Sequence, residues 1–189
     1  MNTKIYYVRH GETVFNKEGR FNGQPGAPLN EVGRSQAREA GAKLTDVKFD
    51  LIYASPLSRA YETCEIIVGM NRHGGDIIVD DRIIERSFGI WEGVKMDGAG
   101  ISHWWDEKRE PYIENGETIA DVFKRVRNFM DELKEKHGKG KTILVVAHQG
   151  VVRAVHYYLH EKPADGNLRK DTDMKNGEVR VYDFVSLVK

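Results

Sequence analysis

Apolar residues are not spread evenly along the chain. Short runs rich in β-branched and aromatic residues recur at residues 5–8, 51–54, 77–79 and 142–147. Runs of this length, apolar on both faces, suit strands buried inside a sheet. The stretches between them follow a helical period. Residues 30–44 form an Ala-rich helix candidate, and a second helix is expected from Pro56 to about Met70, with Ser55 as its N-cap and Pro in the favoured first turn. Asn115-Gly116-Glu117-Thr118 opens a helix to about His137, in which Ile119, Val122, Phe123, Val126, Met130 and Leu133 fall at three- and four-residue spacings as one buried stripe. Its last turn carries Lys134, Lys136 and His137, followed by Gly138, a C-terminal signature. Residues 151–159 read as a further helix.

The tail alternates instead. Val179, Val181, Asp183 and Val185 share one face, and Arg180, Tyr182, Phe184 and Ser186 the other, which predicts an added strand, antiparallel and near an edge. Strands alternating with helices mean an α/β domain with a mostly parallel sheet. There is no internal repeat and no linker-like stretch, so the expectation is one domain over residues 1–189. Residues 93–115 lack clean periodicity and contain His103, Trp104, Trp105 and Tyr112; they are read as an irregular insertion that caps the substrate or forms a small satellite core.

Composition narrows the function. Apolar residues make up 40% and charged residues 31%, enough for a real core in a well-solvated protein. Formal net charge is zero, which argues against nucleic acid as a partner. A small anion remains possible, because a local Arg and His cluster works inside a neutral protein. Cys64 is the single cysteine, so no internal disulfide forms. No apolar run is long enough to span a membrane, and the first strand begins four residues in with no signal-peptide pattern. A cytoplasmic protein with its native start is expected, monomer or homodimer.

The polar residues that matter come directly after the strands. In α/β sheets, ligands bind beyond the carboxyl ends of strands. Arg9-His10-Gly11-Glu12-Thr13 comes after the first run, Ser55 to Thr63 with Arg59 after the second, Glu85-Arg86-Ser87-Phe88-Gly89 after the third, and His148-Gln149-Gly150 after the fourth. Two imidazoles, two guanidiniums and a carboxyl group thus emerge at one sheet edge. Arg9 and Arg59 offer permanently charged forks for phosphoryl oxygens. One histidine can attack phosphorus, the other can donate to oxygen, and a carboxyl group can protonate the leaving alcohol and then draw a proton from water. Glu92 and Glu62 are rivals of Glu85 for that last part. The two arginines can supply charge that a metal ion would otherwise provide, so this chemistry does not require a metal.

These residues resemble a known family. Arg9-His10-Gly11-Glu12-Thr13 with Asn16 is similar to the signature of the histidine phosphatase superfamily, phosphoglycerate-mutase-like branch. Arg20-Phe21-Asn22-Gly23, Pro28-Leu29-Asn30-Glu31-x-Gly33, Ser55-Pro56-Leu57-x-Arg59-Ala60-x-x-Thr63, Glu85-x-x-x-Gly89-x-x-Glu92-Gly93 and Ala147-His148-x-Gly150-x-x-Arg153 resemble its further blocks, in order. The resemblance implies a three-layer sandwich, a parallel sheet of about five or six strands with helices on both faces. It implies His10 as the phosphorylated nucleophile and Glu85 as proton donor and then base. Arg9, Arg59 and His148 would hold the phosphoryl oxygens, with Asn16 and the Asn22-Gly23 backbone helping. Gln149 stands where the branch often has Gly, and it is a candidate for substrate contact or for simple packing. The implied activity is hydrolysis of a small phosphomonoester without metal or other cofactor; a mutase and a non-catalytic phospho-ligand binder are the alternatives.

Other motifs point elsewhere and fail. His156 and His160 lie four apart on a helix, but Tyr157 stands where a zinc-protease helix needs Glu. Cys64 lacks the arginine of a cysteine-phosphatase loop and reads as core. Gly140-Lys141-Thr142 precedes a strand instead of coming after one, and Glu135 occupies the position of the first P-loop glycine. No apolar strand leads into Asp171-Thr172-Asp173. Specificity is expected in residues 93–115 and 167–177.

Overall fold

A computed structural model describes residues 2–96, 101–137 and 139–184. Strands β1 (Thr3–Arg9), β2 (Leu51–Ala54), β3 (Ile77–Val79), β4 (Thr142–Ala147) and β5 (Val179–Phe184) form one sheet in the order β3-β2-β4-β1-β5. The first four are parallel, and β5 pairs antiparallel with β1 at one edge. Helices α1 (Val14–Glu18), α2 (Glu31–Leu44), α3 (Ser58–Met70), α4 (Ile119–His137) and α5 (Gln149–Leu159) alternate with the strands. The architecture is the three-layer α/β sandwich that the sequence pattern and the resemblance predict.

The strands carry two cores. On β4, Ile143, Val145 and Ala147 pack with Tyr7, Val126, Phe129 and Val152 on the face covered by α4 and α5. Leu144 and Val146 turn the other way, onto Ala40, Cys64 and Ile67 of α2 and α3. The two-residue alternation of a strand places each set, and because both sets are apolar the sequence reads as an unbroken hydrophobic run. Burying each large apolar side chain contributes about 1.5–3 kcal/mol, so the sheet is held from both sides. No described helix is long and apolar enough to cross a membrane.

Several local expectations need correction. Ser55 does not cap α3: that helix starts at Ser58, Leu57 occupies the cap position without a side-chain hydrogen bond, and the Ser55 hydroxyl lies 2.7 Å from His148 Nε2. The α4 stripe runs through Phe129, which is fully buried, whereas Phe123 is half-buried with Lys162 Nζ 4.4 Å above its ring. α4 opens at Ile119 behind a cap in which Thr118 Oγ1 accepts from Asp121 N–H and Asp121 Oδ2 accepts from Thr118 N–H. Asn115 precedes it in a turn with φ 56°. α5 begins at Gln149, ahead of Val151. Gly138, Val185, Ser186 and residues 97–100 of the insertion lie outside the described residues.

Candidate active site

The ladder hydrogen bonds gather the polar residues. His10 N–H donates to the Ala147 carbonyl (3.0 Å) and Ser55 N–H to the Val146 carbonyl (3.0 Å), so the ends of β1, β2 and β4 stop side by side. Tyr7, buried within β1, donates its hydroxyl to the His148 carbonyl at 2.6 Å. The segments leaving these three strand ends therefore enter one space. Gly11 permits part of this convergence: a Cβ there would sit 2.2 Å from the Gly33 carbonyl oxygen, where two backbones pass in contact.

The two histidines form the floor. His10 is 2% exposed, His148 is wholly buried, and their ring centroids lie 5.1 Å apart. His10 Nδ1 is 2.7 Å from the Gly11 carbonyl. A carbonyl can only accept, so Nδ1 carries the proton and Nε2 keeps its lone pair. Arg59 Nε donates to that Nε2 at 3.3 Å. Burial, then the charges of Arg59 and Arg9, hold the His10 pKa well below its ordinary value. His148 is pushed down by burial first and Arg59 next. Both rings are accordingly neutral near pH 7.

Cations surround the floor. Arg59, 1% exposed in the first turn of α3, anchors its Nη2 on the carbonyls of Asn22 (3.1 Å) and Gly23 (2.7 Å). Burial lowers its pKa to about 10, opposed by Glu85 and Glu92, so it stays charged. Arg9 donates from Nη1 to the Met174 carbonyl at 2.5 Å. Arg9 Nε and His148 Nδ1 are buried without a hydrogen-bond partner among the described residues. Buried donors are nearly always satisfied, so the Arg9 guanidinium, which lines the cavity, suits an anionic ligand there; His148 Nδ1 is a donor only in the tautomer whose Nε2 accepts from the Ser55 hydroxyl.

The carboxylates separate by environment. Glu85 is 6% exposed, lines the cavity, and accepts from Gly150 N–H at 3.2 Å to each oxygen and from Arg86 N–H at 2.8 Å. A side chain at Gly150 would meet Glu85 Oε1 at 2.2 Å, which only glycine avoids. Glu92 instead clips a loop by accepting from the N–H groups of Gly23, Gln24 and Phe88. Glu62 pairs with Arg34 at 2.6 Å. Glu12 accepts from Asn30 Nδ2 at 2.9 Å.

A cavity of about 350 Å³ adjoins this cluster and is lined by Arg9, Asn16, Asn22, Glu85 and Gln149, all candidates on sequence grounds, whereas His10, Arg59 and His148 lie buried behind its lining. Some of them are engaged differently from expectation. Gln149 donates its side-chain N–H to the Thr172 carbonyl (2.9 Å) and accepts from Met174 N–H (3.0 Å). Its amide thus braces that loop while the residue also lines the cavity. Gly23 N–H is taken by Glu92 at 2.9 Å, so its backbone holds a carboxylate. Asn16 caps α1 through Thr13 and accepts from Asn176, which also donates to the His10 carbonyl. Asn22 donates to Thr13 Oγ1 at 3.0 Å.

The walls are less legible in the sequence. Trp104 and Trp105 are 9% and 7% exposed and serve both as core and as cavity lining. Trp104 packs on Phe21, Phe88 and Trp91, and Trp105 is flanked by Arg86 and Arg153, whose Cζ atoms lie 5.1 and 4.8 Å from its ring. Arg86, wholly buried, is fixed by Glu110 and the Trp104 carbonyl. Arg153, Arg169, Asp173 and Met174 also line the space. Arg153 has a signal, its place at the end of the fourth strand's block, but that place alone assigns it no role.

Comparison with known proteins gives one answer. The family model of the histidine phosphatase superfamily (branch 1) matches residues 5–186. The chain is 33% identical over 160 residues to phosphoserine phosphatase 1 of Hydrogenobacter thermophilus, covering 81% of this chain and 74% of that protein. It is 31% identical over 159 residues to a 2,3-bisphosphoglycerate-dependent phosphoglycerate mutase 2 of Gloeobacter violaceus, covering 80% and 73%. The structure of a mycobacterial glucosyl-3-phosphoglycerate phosphatase with VO3 superposes with a TM-score of 0.82 at 29% identity, over 94% of this chain and 91% of that one. With its fold, its ordered motifs and its strand-end histidine pair all in place, this chain belongs to the histidine phosphatase superfamily, branch 1.

Proposed function

We propose that the protein hydrolyses a small phosphomonoester through a phosphohistidine at His10. One observation carries this reading: the Gly11 carbonyl ties Nδ1 of His10, so that a neutral Nε2, its lone pair met by the Arg59 N–H at 3.3 Å, faces a buried guanidinium with the His148 ring 5.1 Å away. Arg59 turns its N–H from Nε2 to a phosphoryl oxygen as substrate enters. Arg9 and His148 take the other oxygens. Nε2 attacks phosphorus, the bond from phosphorus to the ester oxygen breaks, and Glu85 in its acid form protonates the departing alkoxide. Water then attacks the phosphohistidine, Glu85 takes its proton, and the bond from Nε2 to phosphorus breaks to give phosphate and the starting imidazole. The fixed cations neutralise charge on the transferring group, the main device of such catalysis. No step calls on a metal, so EDTA is expected to leave turnover unchanged. The lone thiol of Cys64 is buried and its pKa is pushed up to about 12 by that burial, so it takes no part in the chemistry.

A mutase is the second reading, favoured by the 31% identity to a phosphoglycerate mutase. It needs water kept off the phosphohistidine until a second hydroxyl accepts. Measuring phosphate release against isomerisation of phosphoglycerate separates the two. Phosphate release across several monoesters, absent in His10→Ala, is expected. Fast isomerisation with negligible phosphate release would replace the hydrolase reading.

A further inference from the structure

Ser55 comes directly after β2, is wholly buried and does not line the cavity. Among the described residues its hydroxyl has two partners. Leu57 N–H donates to Oγ at 3.3 Å, in the turn ahead of the helix that carries Arg59, and His148 Nε2 lies 2.7 Å from the same oxygen. The His148 backbone is fixed separately, since its carbonyl accepts from the Tyr7 hydroxyl. His148 also sits at the cap position of α5 without a side-chain bond to that helix. Its Nδ1 is thus buried and partnerless among the described residues. Burial, then the charge of Arg59, keeps the ring neutral near pH 7. A neutral imidazole carries one ring proton, and its place decides whether the ring donates to an oxyanion or turns a lone pair on it.

The hydrogen-bond count separates the two tautomers. With the proton on Nδ1, the Ser55 hydroxyl accepts from Leu57 and donates to Nε2, and Nδ1–H is the one group left over. With the proton on Nε2, that N–H donates to Oγ, and both the hydroxyl proton and the Nδ1 lone pair are left buried without partners. Folded proteins avoid such orphans. An anion completes the first arrangement and repels the second. We infer that Ser55 is a positioning residue: its hydroxyl donates to His148 Nε2 and holds the ring with Nδ1–H as the donor for a phosphoryl oxygen. The inference deepens the phosphatase reading above and rests on it. Ser55 touches no substrate, and its own proton is not transferred.

Two-bond ¹H–¹⁵N correlation spectra of the full chain, labelled with ¹⁵N-histidine, show which ring nitrogen is protonated. His148→Gln identifies the His148 signals among the seven histidines. The wild type is expected to carry the His148 proton on Nδ1. Ser55→Ala should lose that pattern, and kcat for p-nitrophenyl phosphate should fall by about 10- to 100-fold, less than for loss of a donor itself. Ser55→Thr, which keeps a hydroxyl, should restore both the tautomer and most of the rate. In a His148→Gln background Ser55→Ala should cost less than about twofold, because the group it positions is gone. If Ser55→Ala fails to fold by circular dichroism, the wild-type spectrum still decides. A wild-type His148 protonated on Nε2 overturns the inference. So does a Ser55→Ala protein that loses rate but keeps the tautomer, the behaviour of a packing residue, or one that changes tautomer at full rate, or a loss that multiplies with that of His148→Gln. An Nε2–H ring in a chain that releases phosphate sinks this inference alone; no release from any ester sinks the phosphatase reading, whichever ring nitrogen is protonated.

Discussion

The floor and the mouth of the cavity are built on different principles. At the floor, His10, Arg59 and His148 are at most 2% exposed; the side chains of His10 and Arg59 are tied to backbone carbonyls and that of His148 to the Ser55 hydroxyl. At the mouth, Arg169 and Asp173 are 39% and 55% exposed along their side chains and are joined mostly to each other and to Arg153. Donors locked in a dry site act on developing charge without reorganising, whereas solvated loop groups are screened and adjust. On the proposed reading, chemistry belongs to the floor and selection to the mouth, so substrate could change without disturbing phosphoryl transfer.

That division can be broken at the floor first. Arg59→Ala is expected to slow phosphate release by about 100- to 1,000-fold on every ester alike, since it removes a donor from the transferring group. A loss confined to one ester would move Arg59 into the selecting wall. Glu85→Gln should cost on the order of 100-fold on alkyl phosphates and little on p-nitrophenyl phosphate, whose leaving group needs no proton. Equal losses on both would remove Glu85 from proton transfer. A smaller effect sharpens the comparison through stability. Both histidines have folded pKa values depressed below about 6.5, so the unfolded chain binds more protons below that pH. Stability should therefore fall as pH drops below about 6.5, by up to about 2.7 kcal/mol per pH unit for the pair. Urea denaturation between pH 5 and pH 7 measures it. His148→Gln should flatten that slope, while Arg169→Met at the mouth should leave it as it was.

The same contrast explains how much is legible in the sequence. Apolar runs and their alternation specify the sheet, and the residues just past β1, β2 and β4 must share its edge, so His10, Arg59 and His148 can be picked out. Ser55 reads as a helix cap because a serine before proline carries that local signal, while its actual partner, His148, is 93 residues away. Glu85 and Glu92 look alike in sequence; only the tertiary fold puts one against Gly150 and the other against three loop N–H groups. Gln149 is visible but its partners, in residues 172–174, are not. Arg153 and Asp173 meet across a loop without periodicity, where long-range pairing leaves no pattern along the chain.

The central claim is a covalent phosphate on His10, and rapid acid-free quenching with phosphopeptide mapping tests it directly. During turnover of a ³²P-labelled monoester, the account predicts an acid-labile, base-stable label on the peptide carrying His10, forming faster than free phosphate accumulates and absent in His10→Ala. Label on any other residue, or undiminished phosphate release by His10→Ala, would contradict it.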